Sequence, residues 1–426
     1  MSRLPASTKL TLKRGLAPRT ATYWDVLDEC LPDLANRGIA DLAEEYRQLL
    51  LANPAMLSYS DGDVVALSGG IDSATVAAAI RRTSDGQLST LSMLNGEGVL
   101  YDETALIRES STRLSNRPIE VFPAIDRMSK ELVSRLSHYD QPLATVSILG
   151  YELLIEAAHA QGFSRIFTGS GGDALFAGTY PFYLHHLSDL FLDQSDQFEH
   201  ELACWIRHHG TPEFPKTRET FETFFASRVL HESGVRGLKS YADLVISEQF
   251  VSRHRNEQLK GIEAPGRSMT AYTLLATYAG LEYRHHGIAP GIDAEYQMAL
   301  RTGLSWVAPL LSPEIVAFGA RVPAEAKIFD GRSKILPRLA LRGWVPDPVL
   351  EATTKQGFNL PFAEWVADEE FWSVIAGVIR GAELEGDFLV PGALDASRKL
   401  VRSRDARAAM FLWQAFSFSV WRTSWT

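Results

Sequence analysis

The sequence predicts an α/β protein: a parallel sheet with helices on both faces, followed by a mainly helical C-terminal part. Two observations support this fold class. Between residues 60 and 180, short apolar or β-branched runs alternate with segments of helical periodicity, and such alternation is typical of a parallel sheet. After residue 180 the strand pattern disappears, and helical spacing rich in aromatic residues continues to the end of the chain.

The predicted elements follow one another in a regular order. Residues 24–55 carry apolar side chains at helical spacing, and Pro54 closes that stretch. A buried strand comes next, followed by three more strands, with helices between them. The strands are predicted at residues 63–67, 88–94, 119–122 and 165–168, and the helices at residues 72–80, 102–114, 130–136 and 149–161. Near the C terminus, residues 406–421 are predicted to form a docked core helix.

Composition and charge limit the class of partner. Hydrophobic residues make up 46% of the chain and charged residues 22%, which is typical of a soluble globular protein. The net charge is 42 − 52 = −10, which weighs against general binding of nucleic acid or of an anionic membrane. No apolar run approaches the ~18 residues of a membrane helix. We therefore expect a cytoplasmic protein with no nucleic-acid partner and no membrane partner.

The cysteines and the N-terminal residues suggest little chemistry of their own. Cys30 and Cys204 have no metal-ligand spacing, so we expect neither a disulfide framework nor a zinc site. The first 24 residues carry five basic and no acidic side chains, but they lack the apolar core of a secretory signal. We interpret them as a frayed or partner-binding arm, with an organelle transit peptide as the alternative.

The strongest motif lies between the first predicted strand and its helix. It reads Ser68-Gly69-Gly70-Ile71-Asp72-Ser73. The glycines allow a phosphate to approach the backbone closely, and the following helix adds the positive end of its dipole. Ser68 and Ser73 can donate hydroxyl hydrogen bonds, and Asp72 can hold a Mg2+ ion that bridges phosphates. A plain turn with a helix cap is the alternative, but the strand before it and the helix after it favour a phosphate site.

A second glycine-rich segment, residues 168–178, follows the fourth predicted strand. It contains Gly169, Ser170 and Asp173. Because the carboxyl ends of parallel strands lie at one edge of a sheet, we expect Asp72 and Asp173 to meet there. Two carboxylates with a divalent cation between them and a phosphate form a coherent electrostatic arrangement. The two segments together predict a Mg2+-dependent phosphate site.

The first motif resembles the loop of the ATP pyrophosphatases, also called PP-loop enzymes. The ordered set of motifs is similar to the asparagine synthetase and β-lactam synthetase superfamily. Later segments that match that pattern are residues 140–142, 305–311, 322–327, 331–334 and 355–361. The resemblance covers roughly residues 30–426. It implies a PP-loop fold that uses ATP and Mg2+ to adenylate a substrate carboxylate.

The resemblance also implies roles for individual residues. Lys355, in the segment Lys-x-Gly-Phe-x-x-Pro, would stabilise negative charge while the acyl-adenylate is attacked. Lys334 would contact a phosphate. The backbone near Met93 and Gly169 would hold adenine and ribose. On this basis the chain divides into a basic arm with a helical lead-in at 1–55, an ATP-binding core at 56–180 and a substrate-pocket region at 181–426.

Two departures from the family pattern affect the predicted nucleophile. About sixty residues precede the first loop, and the chain starts with Met1, so we expect no glutaminase domain and no N-terminal cysteine. Ser170 stands where asparagine synthetases usually carry glutamate and β-lactam synthetases carry tyrosine. We place Ser170 at the catalytic position on this basis. An α-amino group with a pKa near ~8 needs little help to react, which favours a substrate amine over ammonia.

We therefore expect an ATP-dependent amide-bond-forming ligase that releases AMP and pyrophosphate, in specialised metabolite or lactam-type peptide biosynthesis such as antibiotic biosynthesis. Its partners would be a carboxylate substrate, an amine or ammonia, and a separate glutaminase or carrier protein. Three alternatives remain open. They are ammonia-dependent amidation like that of asparagine synthetase, sulfur transfer to tRNA as in other PP-loop enzymes, and a catalytically degenerate binding subunit. The acidity of the chain and the absence of a Cys-x-x-Cys motif weigh against sulfur transfer.

Overall fold

A computed structural model of the chain describes most of its residues. These are Leu4, Leu34 and residues 7–24, 37–96, 102–178, 180–210, 216–226, 245–250, 252–253, 289–353, 360–386, 388–403 and 405–425. In that part of the chain no helix is both long and apolar enough to cross a bilayer.

The described strands form one central sheet and two hairpins. In chain order they are β1 Thr8–Thr11, β2 Arg19–Thr22, β3 Asp63–Ala66, β4 Ser89–Met93, β5 Arg117–Val121, β6 Arg165–Phe167, β7 Ser305–Val307, β8 Ile328–Phe329 and β9 Arg332–Ser333. The central sheet is parallel and has the order β5-β4-β3-β6-β7. The antiparallel hairpins are β1–β2 and β8–β9.

Helices cover both faces of the sheet and form most of the C-terminal part. They are α1 Ile39–Leu51, α2 Pro54–Leu57, α3 Ile71–Thr83, α4 Thr104–Leu114, α5 Ile125–Leu136, α6 Ser147–Ala160, α7 Gly172–Leu175, α8 Tyr180–Leu192, α9 Phe198–His209, α10 Arg218–Phe224, α11 Ala289–Thr302, α12 Pro313–Arg321, α13 Ile335–Ala340, α14 Asp347–Glu351, α15 Phe362–Ala367, α16 Glu369–Gly381, α17 Ala393–Arg402 and α18 Ala406–Trp425. The predicted fold class is therefore confirmed.

The core has two halves because β3 is buried on both faces. Successive side chains of a strand point to opposite faces. Val64 and Ala66 pack with α5, α6 and the C-terminal helices. Val65 and Leu67 pack on the other face with α1, α3 and α12. Near-continuous apolar runs are expected of strands covered on both sides, and this burial fixes β3 at the centre of the sheet.

The prediction for the C-terminal helix is confirmed. Trp413 and Phe416 of α18 are almost fully buried. The indole N–H of Trp413 donates to the Leu143 carbonyl oxygen at 2.9 Å, and that of Trp425 donates to the Tyr139 carbonyl oxygen at 2.9 Å. These bonds attach the last helix to the segment that leads into α6.

Three predictions about the elements need correction. The strand pattern does not end at residue 180, because β7 extends the sheet and β8–β9 forms a hairpin. Pro54 does not close a helix: it begins α2, where the Asn53 side chain caps the new helix by accepting from the amides of Ala55 and Met56. The basic arm contains the hairpin β1–β2. Residues 25–33 of the predicted first helix lie outside the described residues.

Candidate active site

Hydrogen bonds of Ser68 and Ser73 stabilise the conformation of the loop after β3. The Ser68 amide donates to Ser73 Oγ at 3.0 Å, and the Gly70 amide donates to Ser68 Oγ at 3.1 Å. Ser73 Oγ donates in turn to the Gly70 carbonyl at 3.0 Å. Helix α3 then starts at Ile71, and its cap residue Gly70 supplies no side-chain hydrogen bond. The loop therefore presents the start of α3, with its positive dipole end, to the sheet edge.

One amide of this loop already binds an anionic group. The Gly69 N–H donates to Oε2 of Glu103 at 3.1 Å, and Glu103 stands at the start of α4. A Cβ on Gly69 would lie 2.9 Å from the Glu103 Cβ, so glycine allows this close approach. The contact indicates that the loop amide is oriented to hold a negatively charged oxygen.

The glycines of the second loop let it touch the first. A Cβ on Gly169 would lie 2.6 Å from the Ser73 amide nitrogen, and a Cβ on Gly172 would lie 2.4 Å from Oδ1 of Asp72. Both contacts are too short for any side chain. The two segments, about a hundred residues apart in sequence, therefore pack backbone against backbone at the carboxyl ends of β3 and β6.

Three charged side chains converge where the loops meet. Lys334 Nζ lies 2.6 Å from Oδ2 of Asp72 and 2.6 Å from Oδ1 of Asp173. A Cβ on Gly178 would lie 2.2 Å from both Asp173 Oδ1 and Lys334 Cε. The Lys334 backbone has a left-handed φ of 59°, and its amide donates to the Phe176 carbonyl at 3.1 Å. The lysine is thus held in a strained conformation by the second loop.

The electrostatics of this group keep the lysine charged. Lys334 is buried, with 6% of its surface exposed. Burial alone would lower its pKa, but the attraction of Asp173 and Asp72 outweighs burial and raises the pKa of Lys334. The ammonium therefore occupies a cation position between two carboxylates.

Asp72 and Asp173 could also hold a divalent cation, which would take the position that the Lys334 ammonium occupies. Mg2+ prefers carboxylate and water oxygens, and one oxygen of Asp72 and one of Asp173 already converge on a single positive charge. These two residues are the ones that would hold the metal.

A buried carboxyl group lies behind the predicted catalytic serine. Ser170 Oγ donates to Oε2 of Glu295, on α11, at 3.0 Å, and Thr168 Oγ1 donates to Ser170 Oγ at 3.0 Å. Glu295 is 7% exposed. Burial raises the pKa of Glu295 to about 7, although the hydrogen bond from Ser170 favours the ionised form. A carboxyl group that ionises near neutral pH is suited to general base catalysis.

The two glycine-rich loops, Lys334 and Arg338 line one cleft. Its cavity volume is about 270 Å³, and Tyr151 and Arg338 form part of its wall. Arg338 Nε donates to the Ser333 carbonyl at 2.8 Å. Burial, with a contribution from nearby Arg332, lowers the pKa of Arg338 to about 10, so it stays positively charged at neutral pH. The cleft can therefore hold a large anion.

Nine of the predicted site residues line this cleft: Ser68, Gly69, Gly70, Asp72, Ser73, Gly169, Ser170, Asp173 and Lys334. Met93 ends β4, and its side chain packs in the core. Lys355 lies outside the described residues. Val349 and Ala352, shortly before that segment in the sequence, line the wall of the cleft.

Sequence reasoning missed Glu103, Glu295 and Arg338. Glu103 and Glu295 belong to no motif, and their partners lie 34 and 125 positions away. Arg338 had one usable signal. It follows Lys334 by four residues, which places both on one face of the turn that begins α13.

The fold and the cleft define a parallel α/β protein with two glycine-rich loops at the carboxyl edge of its sheet. The chain belongs to the asparagine synthase family, whose sequence profile matches residues 47–422.

Curated relatives agree with this assignment. The chain is 26% identical to amidase chry2 of Gibberella zeae over 399 residues, which cover 82% of this chain and 56% of that protein. It is 23% identical to asparagine synthetase [glutamine-hydrolyzing] 1 of Bacillus subtilis over 311 residues, 71% of this chain and 47% of that protein. Amidase chyE of Penicillium rubens is 30% identical over 184 residues, 39% of this chain and 27% of that protein. The chain spans about half the length of the relatives that it matches most extensively.

Proposed function

We propose that this protein is an ATP-dependent carbon–nitrogen ligase that adenylates a substrate carboxylate and transfers the acyl group to an amine. The observation that carries the proposal is the convergence of Asp72 and Asp173 on one cation position, beside a loop whose amide binds an anionic oxygen. Membership of the asparagine synthase family supports the reaction class.

In the first step the cleft binds ATP so that its α-phosphorus faces the carboxylate. The amides of the Ser68–Ser73 loop and the start of α3 hold the pyrophosphate portion. Lys334 and Arg338 place two positive charges on the same wall. Mg2+ on Asp72 and Asp173 would neutralise phosphate charge in the transition state. A carboxylate oxygen forms the new bond to the α-phosphorus, and the bond to the leaving pyrophosphate breaks.

In the second step an amine attacks the acyl-adenylate. The nitrogen forms the C–N bond, and AMP leaves with the electron pair of the C–O bond. The amine proton passes to Ser170 Oγ while the Ser170 hydroxyl proton passes to Glu295, the acceptor of that hydrogen bond. Glu295 acts as the base because burial leaves it partly ionised near neutral pH, with a pKa of about 7. Lys355 is proposed to stabilise the oxyanion, as the sequence motif suggests.

A substrate amine is the proposed nucleophile, in the biosynthesis of a specialised metabolite or a lactam-type peptide. Ser170 and Glu295 together supply a relay that can take the proton of an amine or of ammonia, which serine alone could not do. Two of the relatives are named amidases, which is compatible with chemistry at an amide bond. Ammonia-dependent amidation is the second candidate, favoured by the similarity to an asparagine synthetase.

Product analysis across a substrate panel tests the proposal. Full-length protein is incubated with Mg2+, ATP and a set of carboxylates, each with no nitrogen source, with ammonium, or with a primary amine. We expect AMP and pyrophosphate to form in equal amounts with one class of carboxylate, and amide to form with an amine. Amide formed only with ammonium supports the second candidate. ADP and phosphate as products would contradict both.

A further inference from the structure

Helix α9 and the turn between β8 and β9 bring three metal-ligating side chains together away from the cleft. His200 and Cys204 lie one turn apart on α9, and Cys204 Sγ is 3.6 Å from His200 Nε2. His200 Nε2 is 2.6 Å from Oδ1 of Asp330. The three ligand atoms all lie within 4.8 Å of one another. Imidazole, thiolate and carboxylate are the ligands that zinc uses in proteins.

The turn that carries Asp330 is fixed against α9 by bonds independent of these ligands. Buried Glu201 accepts from the Asp330 amide at 2.7 Å and from the Gly331 amide at 3.2 Å. His209 Nε2 lies 2.9 Å from the Gly331 carbonyl oxygen, to which it donates. A Cβ on Gly331 would lie 3.0 Å from the Cys204 Cβ. The backbone of the turn therefore packs directly on the helix, which holds Asp330 beside His200 and Cys204.

One of the ligand separations already suits a tetrahedral ion, and the other side chains can rotate to reach it. Zinc bonds of about 2.3 Å to sulfur and about 2.0–2.2 Å to nitrogen or oxygen place neighbouring ligand atoms roughly 3.3–3.6 Å apart. The separation of 3.6 Å between Cys204 and His200 already meets this requirement. The carboxylate of Asp330 must move away from His200, from 2.6 Å. Both side chains can adjust by rotation, because 59% and 54% of their surfaces are exposed.

We propose that His200, Cys204 and Asp330 form a binding site for Zn2+, with a water molecule as the fourth ligand. Binding replaces the thiol proton of Cys204, which is released to solvent. A thiolate ligand favours zinc over magnesium or calcium, so this site is distinct in chemistry from the Asp72–Asp173 pair. Cysteine spacing gives no signal for this site, because the partners of Cys204 come from the preceding helical turn and from a hairpin far along the chain.

The position of the site gives it a structural role. Asp330 precedes β9, and the chain continues through Arg332–Ser333 directly into Lys334. A zinc ion on α9 and Asp330 would fasten the hairpin that carries the cleft lysine. The proposal does not depend on the reaction catalysed in the cleft.

Cobalt substitution and zinc competition on the full-length protein test the site. A thiolate ligand to Co2+ gives a charge-transfer absorption band. We expect this band at one equivalent of Co2+, its loss in Cys204→Ser, and its retention in Cys30→Ser, the matched control. In competition with a chromophoric chelator, His200→Ala and Asp330→Asn should weaken Zn2+ binding by more than the roughly 10–100-fold that loss of an outer-shell partner costs. His159→Ala, an exposed histidine on α6, should bind Zn2+ as the wild type does.

Several outcomes would overturn the proposal. These are the absence of a thiolate band, its loss in Cys30→Ser rather than Cys204→Ser, or unchanged Zn2+ affinity in His200→Ala and Asp330→Asn. The last two variants change exposed side chains, so they keep the test valid if Cys204→Ser does not fold. Asparagine at 330 also suits the left-handed φ of 53° there.

Discussion

Glu295 and Lys334 are two buried charged groups with different surroundings. Lys334 has two carboxylates within 2.6 Å, so it remains an ammonium. Glu295 receives a hydroxyl hydrogen bond from Ser170, and burial dominates its titration. The proposed mechanism uses this difference: Lys334 would supply fixed positive charge, and Glu295 would exchange a proton near neutral pH.

Replacement of Glu295 by glutamine separates the two proposed half-reactions. Glu295→Gln keeps the shape and the hydrogen bond from Ser170 but cannot accept a proton. We expect carboxylate-dependent exchange of pyrophosphate with ATP to persist and amide formation to fall by about 100-fold, within the range of general base effects. A parallel loss of both activities would instead assign Glu295 to carboxylate activation or to structure.

The pH dependence of amide formation provides a second measurement on the same pair. The base works when ionised, and burial raises the pKa of Glu295 to about 7, so the rate should rise with pH through that value. The hydrogen bond from Ser170 favours the ionised form. Because the amine proton reaches Glu295 through Ser170 Oγ, Ser170→Ala should lower the rate of amide formation and remove the acidic limb that Glu295 sets. An unchanged limb would contradict the coupling of Ser170 and Glu295.

Glu103 is expected to compete with ATP for the first loop. Its carboxylate accepts from the Gly69 amide at 3.1 Å, a position suited to a phosphate oxygen. Glu103→Gln removes the charge and keeps an acceptor oxygen, so we expect the KM for ATP to fall by about fivefold, the equivalent of roughly 1 kcal/mol, with little change in kcat. Steady-state kinetics measures this. Glu109→Gln, an exposed carboxylate on α4, is the control, and a raised KM in Glu103→Gln would contradict the interpretation.

At the scale of elements, the sequence predicted β3, β4 and β6 closely because each is largely buried and is followed within three residues by a glycine. The strand β7 was missed because it has three residues, Ser305–Val307, set between helices. Its place is fixed by pairing with β6, including the bond from the Thr168 amide to the Val307 carbonyl at 2.9 Å. Such pairing depends on tertiary contacts rather than on local propensity.

Gly178 lies where the second loop meets the residue that follows the hairpin β8–β9, and replacing it tests this contact. An alanine Cβ there would lie 2.2 Å from Lys334 Cε and from Asp173 Oδ1, so the two charged groups must separate. We expect Gly178→Ala to reduce ATP–pyrophosphate exchange by about 100-fold, since preorganised charge is worth that much at an active site.

Gly377→Ala serves as the matched control for Gly178→Ala. It lies inside α16, and no atom approaches its added Cβ within 4 Å. This change should leave exchange unaltered and raise the free energy of unfolding by about 0.5–1 kcal/mol, the usual helix preference for alanine. Equal loss of exchange in both variants would show that the effect of Gly178→Ala is not specific to the cleft.

At the scale of the whole molecule, sheet topology brings the site together. From β3 the chain moves outward through β4 to β5 and then returns to place β6 on the other side of β3. The loops after β3 and β6 therefore face each other at the point where the strand order reverses, which is where such sheets bind ligands. The meeting of Asp72 and Asp173 could be predicted from this rule. The insertion of Lys334 between them could not, because the path of the helical C-terminal part leaves no periodic signal.

Carboxylate-dependent exchange of radiolabelled pyrophosphate into ATP reports the first half-reaction alone. It therefore tests whether Asp72 and Asp173 act together on one nucleotide-bound cation. With Mg2+ and a responsive carboxylate, the wild type and Asp126→Asn, an exposed control on α5, should exchange at equal rates. Asp72→Asn and Asp173→Asn should each lose about 100-fold or more, because a transition-state charge contact is removed. Exchange at the wild-type rate in either variant would contradict the assignment of these two carboxylates to a common nucleotide-bound cation.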